Sequence, residues 1–577
     1  MRKFSLIALS AAIACLVIRA ADWPSQSGNP QRDGWAKTEK AFTKENAGKI
    51  EFLYKYKADN QSKGLNALGT PLVNGMLITY LGFKEMLVVG GSGDNVYSVD
   101  ADLNRVIWKA HFDYKASQPQ AVATSVCPGG MTAGIAMAGS STAGGGARGG
   151  GRGAAGAGRG PGAVPPGAVP PGAGRGPVPA PPAPGGRGAN PPLFAAGNFG
   201  RGANFAAVGS DGTIHALNSS TGGDRSAPIP FVPANAKVSS LNVNDGVIYA
   251  ATRDNCGGNA NGLYALDLAT DDHKLSSLAL NGGGAAGSGG TAIGADGTVY
   301  AQIPDGSGEM AGVYNDTVLA LSKDLKVKDY FTPAGTAPPV TKGVSAAGIT
   351  PVVFSWKGSD VVVAGGRDGR VYLLDAKSLG GADHHTPLSM TEPIASPDVK
   401  FAGNGLQGTF SSWEDADNLN ARWVYASVSG PLAGSARFGV TNGTAANGSI
   451  IAFRVEEHDG KPVLAPAWVS RDMLSPAPVV TANGLVFALS SGESARLAKD
   501  TGALYTVAEK QKMAGHAVLC VLDGATGKEL YSSGSMAQTF SHGAGLALAN
   551  RRIYFTTHDN LVYSLGFLAE QPQLTGK

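Results

Sequence analysis

The chain has 577 residues, 83 of them glycine, with 43% hydrophobic and 16% charged residues. That apolar share can bury a large core, which excludes a chain disordered throughout, and four cysteines exclude a disulfide-stapled miniprotein. The net charge of +3 is unevenly placed: a leader with three basic residues and a Gly/Ala/Pro tract with six arginines contain no acid, so the rest carries −6. A nucleic-acid partner would call for the opposite sign.

Residues 1–21 read as an export signal. Arg2 and Lys3 precede an apolar run from Phe4 to Ile18, and small residues Ala20 and Ala21 follow. The run is short for a membrane span, and no later stretch reaches about 18 apolar residues, so no integral span is predicted after cleavage. Cys15 lacks the leucine three places upstream that a lipoprotein site uses. The predicted location is periplasmic or secreted. Of the three remaining cysteines, Cys520 falls on a core strand position, which leaves Cys127 and Cys256 as the possible disulfide.

Residues 22–138 are expected to form the start of a propeller and its first blade. Residues 139–203 form a low-complexity segment with Pro-Pro-Gly-Ala and Gly-Arg-Gly units, too poor in large apolar residues to offset its ordering entropy. It is predicted to be a disordered insertion leaving the surface between the first and second repeats. Residues 204–569 carry the remaining blades, and 570–577 form a tail.

The repeat is the main signal. Val96-Tyr97-Ser98-Val99-Asp100, Leu263-Tyr264-Ala265-Leu266-Asp267, Val371-Tyr372-Leu373-Leu374-Asp375 and Leu519-Cys520-Val521-Leu522-Asp523 share one frame, and four looser copies bring the total to eight. The underlying period is near 50 residues, one supersecondary unit per repeat. Each motif is flanked by further short apolar runs with turn residues between them, as in Val361-Val362-Val363-Ala364-Gly365-Gly366-Arg367-Asp368-Gly369. Four antiparallel strands per repeat predict an all-β, eight-bladed β-propeller. Its ring is expected to close by pairing a strand near Glu51-Phe52-Leu53-Tyr54 with the last blade.

The turn after each motif has its own chemistry. In Asp523-Gly524-Ala525-Thr526-Gly527-Lys528 the carboxylate can accept backbone N–H groups while Gly527 supplies positive φ. Asp100, Asp267 and Asp375 hold the same place. Trp108 and Tyr531 each lie eight residues after the turn Asp and are predicted to dock one blade on the next.

The frame Tyr-x-Leu-Asp-Ala-x-Thr-Gly-Lys-x-x-Trp resembles the repeat of pyrroloquinoline quinone (PQQ) propellers, the quinoprotein alcohol dehydrogenase-like family. Asp22-Trp23-Pro24, Gly34-Trp35 and Thr70-Pro71-Leu72-Val73 resemble the family's approach to its first blade. The resemblance implies eight blades and, for the family's enzymes, PQQ and Ca²⁺ as cofactors. Those enzymes carry a disulfide of adjacent cysteines and a glutamate before the first-blade Thr-Pro. Here no cysteines are adjacent, and Leu68-Gly69 precede Thr70.

Candidate site residues lie where innermost strands begin at the channel mouth: Thr70, Thr291, Thr350, Thr409 and Ser541-His542-Gly543. The hydroxyls could hold a polar cofactor or ligand, and His542 titrates in the range suited to a base. Trp413, followed by Glu414 and Asp415 in a long repeat, could stack a planar ring beside an acid or base. So Trp413, Thr70, Thr350 and Thr409 are the candidate cofactor contacts, with His542 and Glu414 the candidate catalytic groups. Arg253-Asp254-Asn255-Cys256 reads as a polar hairpin turn. His384-His385 has only Asp383 nearby, so no metal site is predicted. The predicted function is a binding or scaffold module of the cell envelope, for an envelope protein or a small polar ligand. The alternative is a PQQ- and calcium-dependent dehydrogenase oxidising alcohols or sugars.

Overall fold

The computed structural model describes residues 21–568, except 80–81, 139–203, 271, 281, 283, 305–314, 336–347, 397–399, 402–404, 417 and 419–420. The leader, Cys15, the low-complexity segment and the C-terminal tail therefore lie outside the described residues.

The chain is an all-β propeller of antiparallel four-stranded blades. Among the described residues the strands group into eight sheets. They span 72–111, 136–230, 237–280, 292–331, 352–390, 406–469 and 480–532, and the last joins 547–566 to Glu51–Lys57. The count differs from a simple series of eight repeats: the first seven sheets draw their four blade strands from successive stretches of chain, whereas the last is composite. Its outer strand is Glu51–Lys57, which pairs antiparallel with Leu561–Gly566 through Glu51↔Gly566 and Lys57↔Leu561. The N-terminal strand thus covers an edge that three strands alone would expose. The first sheet ends at His111, and Ala136–Ala138 already belongs to the second. The described residues flanking 139–203, Ala138 and Asn204, are partners within the second blade, whereas the repeat places the segment between the first two.

The core lies between blades. Successive residues of a strand point to opposite sheet faces, so each blade packs on both neighbours. In the fifth sheet Val361 and Val363 join Phe410 and Val424 of the sixth, while Val362 and Ala364 join Tyr300 and Val318 of the fourth. One cluster combines Phe487 of the seventh sheet, Tyr563 of the last and Leu87 of the first, which closes the ring.

The Asp turns form as the repeat predicts. The Asp523 carboxylate accepts the Ala525 and Thr526 amides at 2.9 and 3.0 Å, and Asp100 accepts those of Asp102 and Leu103 at 3.1 Å. Asp267 and Asp375 each accept the amide two residues on, at 2.9 Å. Trp108 docks: its indole donates to the Ser219 carbonyl at 2.7 Å, and its ring lies over Gly222 of the next blade. The matching contact at Gly527 comes from Trp468 of the preceding blade, whose indole donates to the Gly524 carbonyl at 3.0 Å. Tyr531 is only half-buried, against the cluster that joins the seventh, last and first sheets.

Residues 21–36 run around one end of the channel and bond to innermost strands in turn. The bonds include Trp23 with Val73, Met137 N–H to the Pro24 carbonyl, Ile293 to Pro30, Val353 to Gln31, Ser412 to Asp33 and Thr481 to Gly34. At the centre of this plug Arg32 is fully buried. Its guanidinium donates to the carbonyls of Gln26, Ser240, Leu241, Gly289 and Thr291 at 2.6–3.1 Å. Among the described residues no carboxylate pairs with it. Burial pulls its pKa down to about 9, which leaves it charged at neutral pH.

Candidate functional site

With one end of the channel plugged, the other becomes a cup of about 270 Å³. Gln26 of the plug and Ser288 lie on its wall, joined by a 2.6 Å hydrogen bond from the amide to the hydroxyl. Thr70, Ser541 and His542, named by their place at strand starts, do line the cup. Around them stand charges from the loops at this end of the blades.

One group comes from the third blade. Asp254 sits at a hairpin tip with φ 65°, a left-handed backbone that Asp tolerates. Its Oδ2 accepts Lys237 Nζ at 2.8 Å and Arg253 Nε at 3.1 Å. Burial works to raise the Asp254 carboxyl, but the two cations outweigh it and hold the group well below the usual carboxylate range. Burial also lowers the Lys237 ammonium, against the pull of Asp254. Lys237 donates a second bond, at 2.8 Å, to the carbonyl of Val126. Next to Val126, Cys127 is disulfide-bonded to Cys256, tying the cup-rim loop to the same hairpin. Cys520 is buried and free.

The other group is built on the long connection of the seventh blade. Its short helix, Val507–Met513, is fixed by a capping box between Thr506 and Glu509. The helix delivers Lys510, which is 2% exposed, to Glu493 Oε1 at 3.2 Å and to the carbonyls of Ser494 and Arg496. His542 Nδ1 meets Glu493 Oε2 at 2.7 Å. Burial would raise the Glu493 carboxyl, yet His542 and Lys510 together hold it down to about 2. The contact commits Nδ1 to the carboxylate and leaves Nε2 as the ring nitrogen that a ligand could meet.

The other candidates fall elsewhere. Thr350 Oγ1 is saturated: it accepts the Gly289 and Gly290 amides and donates to the Ala286 carbonyl. Thr409 is buried behind the wall, its hydroxyl without a partner. Trp413 is not at the channel. It lies in the apolar layer between the sixth and seventh blades with Trp423 and Trp468, because alternation along its strand turns it to that face. Glu414 is paired with Arg422 at 3.3 Å and does not line the cup. Sequence reading passed over Lys237, Glu493 and Lys510, which stand outside the repeat, and took Asp254 as a plain turn.

No protein-family model and no curated protein matches the chain. Solved structures do. The quinohemoprotein alcohol dehydrogenase of Comamonas testosteroni aligns with TM-score 0.51 and 11% identity, over 96% of this chain and 82% of that one. Quinohemoprotein alcohol dehydrogenase ADHIIG of Pseudomonas putida HK5 gives 0.52 and 11% over the same shares. The fold is that of the quinoprotein propellers. A europium-containing methanol dehydrogenase agrees, with TM-score 0.51 and 13% identity over 94% of this chain and 89% of that one.

The cofactors such a fold suggests, PQQ and a metal ion, would need metal ligands and a stacking ring in the cup. Among the described residues no group of three or more His, Cys, Asp or Glu side chains converges to hold a metal. Both cup carboxylates are already paired with lysine ammonium groups, and among the described residues no Phe, Tyr or Trp lines the wall to stack on a quinone. The residues present do not fit a PQQ–calcium pair.

Proposed function

We propose that this protein is an exported propeller that binds a small polar molecule in the cup. The observation that carries the reading is a channel plugged at one end and lined at the other by paired, largely buried charges on two separate blades. An inert scaffold would have no use for such groups, which cost free energy to bury. Export is supported by the basic-apolar leader and by the Cys127–Cys256 disulfide. Among the described residues no helix is long and apolar enough to cross a membrane. An envelope protein remains a proposed partner of the outer surface. A Ser125→Trp variant, placed on the half-exposed rim, tests the cup. It should abolish ligand-induced rises in melting temperature seen with the unaltered protein; rises that survive it would place binding elsewhere.

A second reading is favoured by the comparisons: the three solved structures compared above are alcohol or methanol dehydrogenases. Under it the protein oxidises an alcohol or sugar with PQQ and a metal, which would require groups that the described wall of the cup does not supply. The test is incubation with PQQ and Ca²⁺, followed by desalting. Retained quinone absorbance with dye reduction by alcohols or sugars establishes this reading; no retention at micromolar cofactor removes it.

A further inference from the structure

The cup carries more positive than negative charge. Lys237, Arg253 and Lys510 face it against only Asp254 and Glu493, both held ionised at neutral pH. Beneath it Arg32 adds a cation with no carboxylate, bonded to the backbone of Gln26 and Ser240, two wall residues. The two charged groups share one field, since Glu493 acts on Lys237. Two wall hydroxyls, Ser240 Oγ and Ser541 Oγ, are buried without a hydrogen-bond partner, and such groups are rare unless something completes them. Arg253 commits Nε to Asp254 and one terminal nitrogen to the Gly287 carbonyl at 3.4 Å, so its fork retains donor capacity. The volume is many times the roughly 10–15 Å³ that one water needs.

We propose that the cup takes a small carboxylate that also bears hydroxyl groups, its carboxylate held by Lys237 and Arg253 and a hydroxyl turned to His542 and Ser541. The inference rests on the reading of the cup as a binding site, and it names the ligand class. A carboxylate matches the excess charge and the planar donor fork of Arg253. A hydroxyl, which both donates and accepts, can hydrogen-bond with His542 Nε2 and with Ser541, which an aliphatic tail cannot do.

The test is calorimetric titration of the full chain with gluconate, sorbitol, hexanoate and inorganic phosphate. Gluconate is expected to bind at least tenfold more tightly than each of the others. Lys237→Met and Arg253→Gln should each weaken gluconate at least tenfold and leave sorbitol unchanged. Equal affinity for sorbitol would overturn the charge selection while leaving the cup a binding site. Equal affinity for hexanoate would overturn the hydroxyl contact, and equal or tighter phosphate binding would overturn the carboxylate class. Gluconate binding untouched by both variants would place it elsewhere and sink the proposal. Binding of none of the four removes the proposal outright; only the Ser125→Trp melting test then judges the cup. Should Lys237→Met fail to fold, Arg253→Gln, whose side chain is 27% exposed, carries the test.

Discussion

The two ends of the channel solve opposite problems with the same blades. At the plug end the turns are regular: Asp100, Asp267, Asp375 and Asp523 cap them, and Trp108 and Trp468 lie on glycines of the next blade. At the cup end the loops differ from blade to blade, and they supply Asp254, Glu493, Lys510 and His542. The plug end contains a buried cation satisfied by carbonyls and the Ser25 hydroxyl; the cup end contains cations paired with carboxylates. Uniform turns hold the ring together, and irregular loops are free to carry chemistry.

Arg32 offers the sharpest way to break this contrast. Arg32→Met relieves the cost of a buried charge but takes a donor from five carbonyls. Thr291 keeps the Asn242 amide, Gly289 the Thr291 N–H and Gln26 the Ser25 hydroxyl, so the loss falls on Ser240 and Leu241, at about 1–3 kcal/mol for each unsatisfied group. The expected net loss is about 2 kcal/mol, read by urea unfolding. Unchanged stability would mean that Arg32 serves the field under the cup and not the closure of the ring.

Glu493→Gln probes the cup end. It leaves Lys510 buried without its carboxylate, and a broken buried pair costs about 3 kcal/mol. The pH dependence gives a second readout. Glu493 sits at about 2 in the fold, below its ordinary 4.5, so its stabilisation is full above pH 4.5 and is lost as pH falls toward 2. The variant should lack that part of the acid loss. Identical acid unfolding curves would show that the Glu493 pair does not set it.

The same contrast explains what could be read from the sequence. Plug-end features repeat, so the Asp turns, the strand order and the ring closure by Glu51–Lys57 were legible from spacing and turn chemistry. Cys127 and Cys256 were legible by elimination. The docking partner of Gly527 was not: Trp468 lies in the blade before it, and Tyr531 has the frame position without the burial. Cup residues occur once each. Lys237 and Lys510 become neighbours of a site only through the ring, and nothing in their local sequence marks them. Trp413 misled because an aromatic beside two acids looks the same whether its strand turns it to a ligand or to the next blade.

A smaller effect tests whether the docking turns act as glue. A Cβ at Gly527, where φ is +72°, would lie 2.3 Å from Trp468 Cε3. Gly527→Ala should therefore cost about 2 kcal/mol, from strained backbone and a displaced indole. Gluconate affinity should stay within twofold, because the turn lies away from the cup. A large affinity loss would show that the two ends are coupled through the blade.

The smallest effect is expected from the insertion. Ala138 and Asn204 are direct partners in the second sheet, so a two-residue turn could join them. Replacing them with Asn-Gly supplies the turn type that two antiparallel strands accept. Long loops add closure entropy slowly, about 0.6 kcal/mol per doubling, so the shortened chain should be as stable as the full one or slightly more so. Thermal unfolding and gluconate titration would check both halves of that expectation. A loss of stability would give the low-complexity segment a structural role, and a loss of binding alone would carry its influence to the cup.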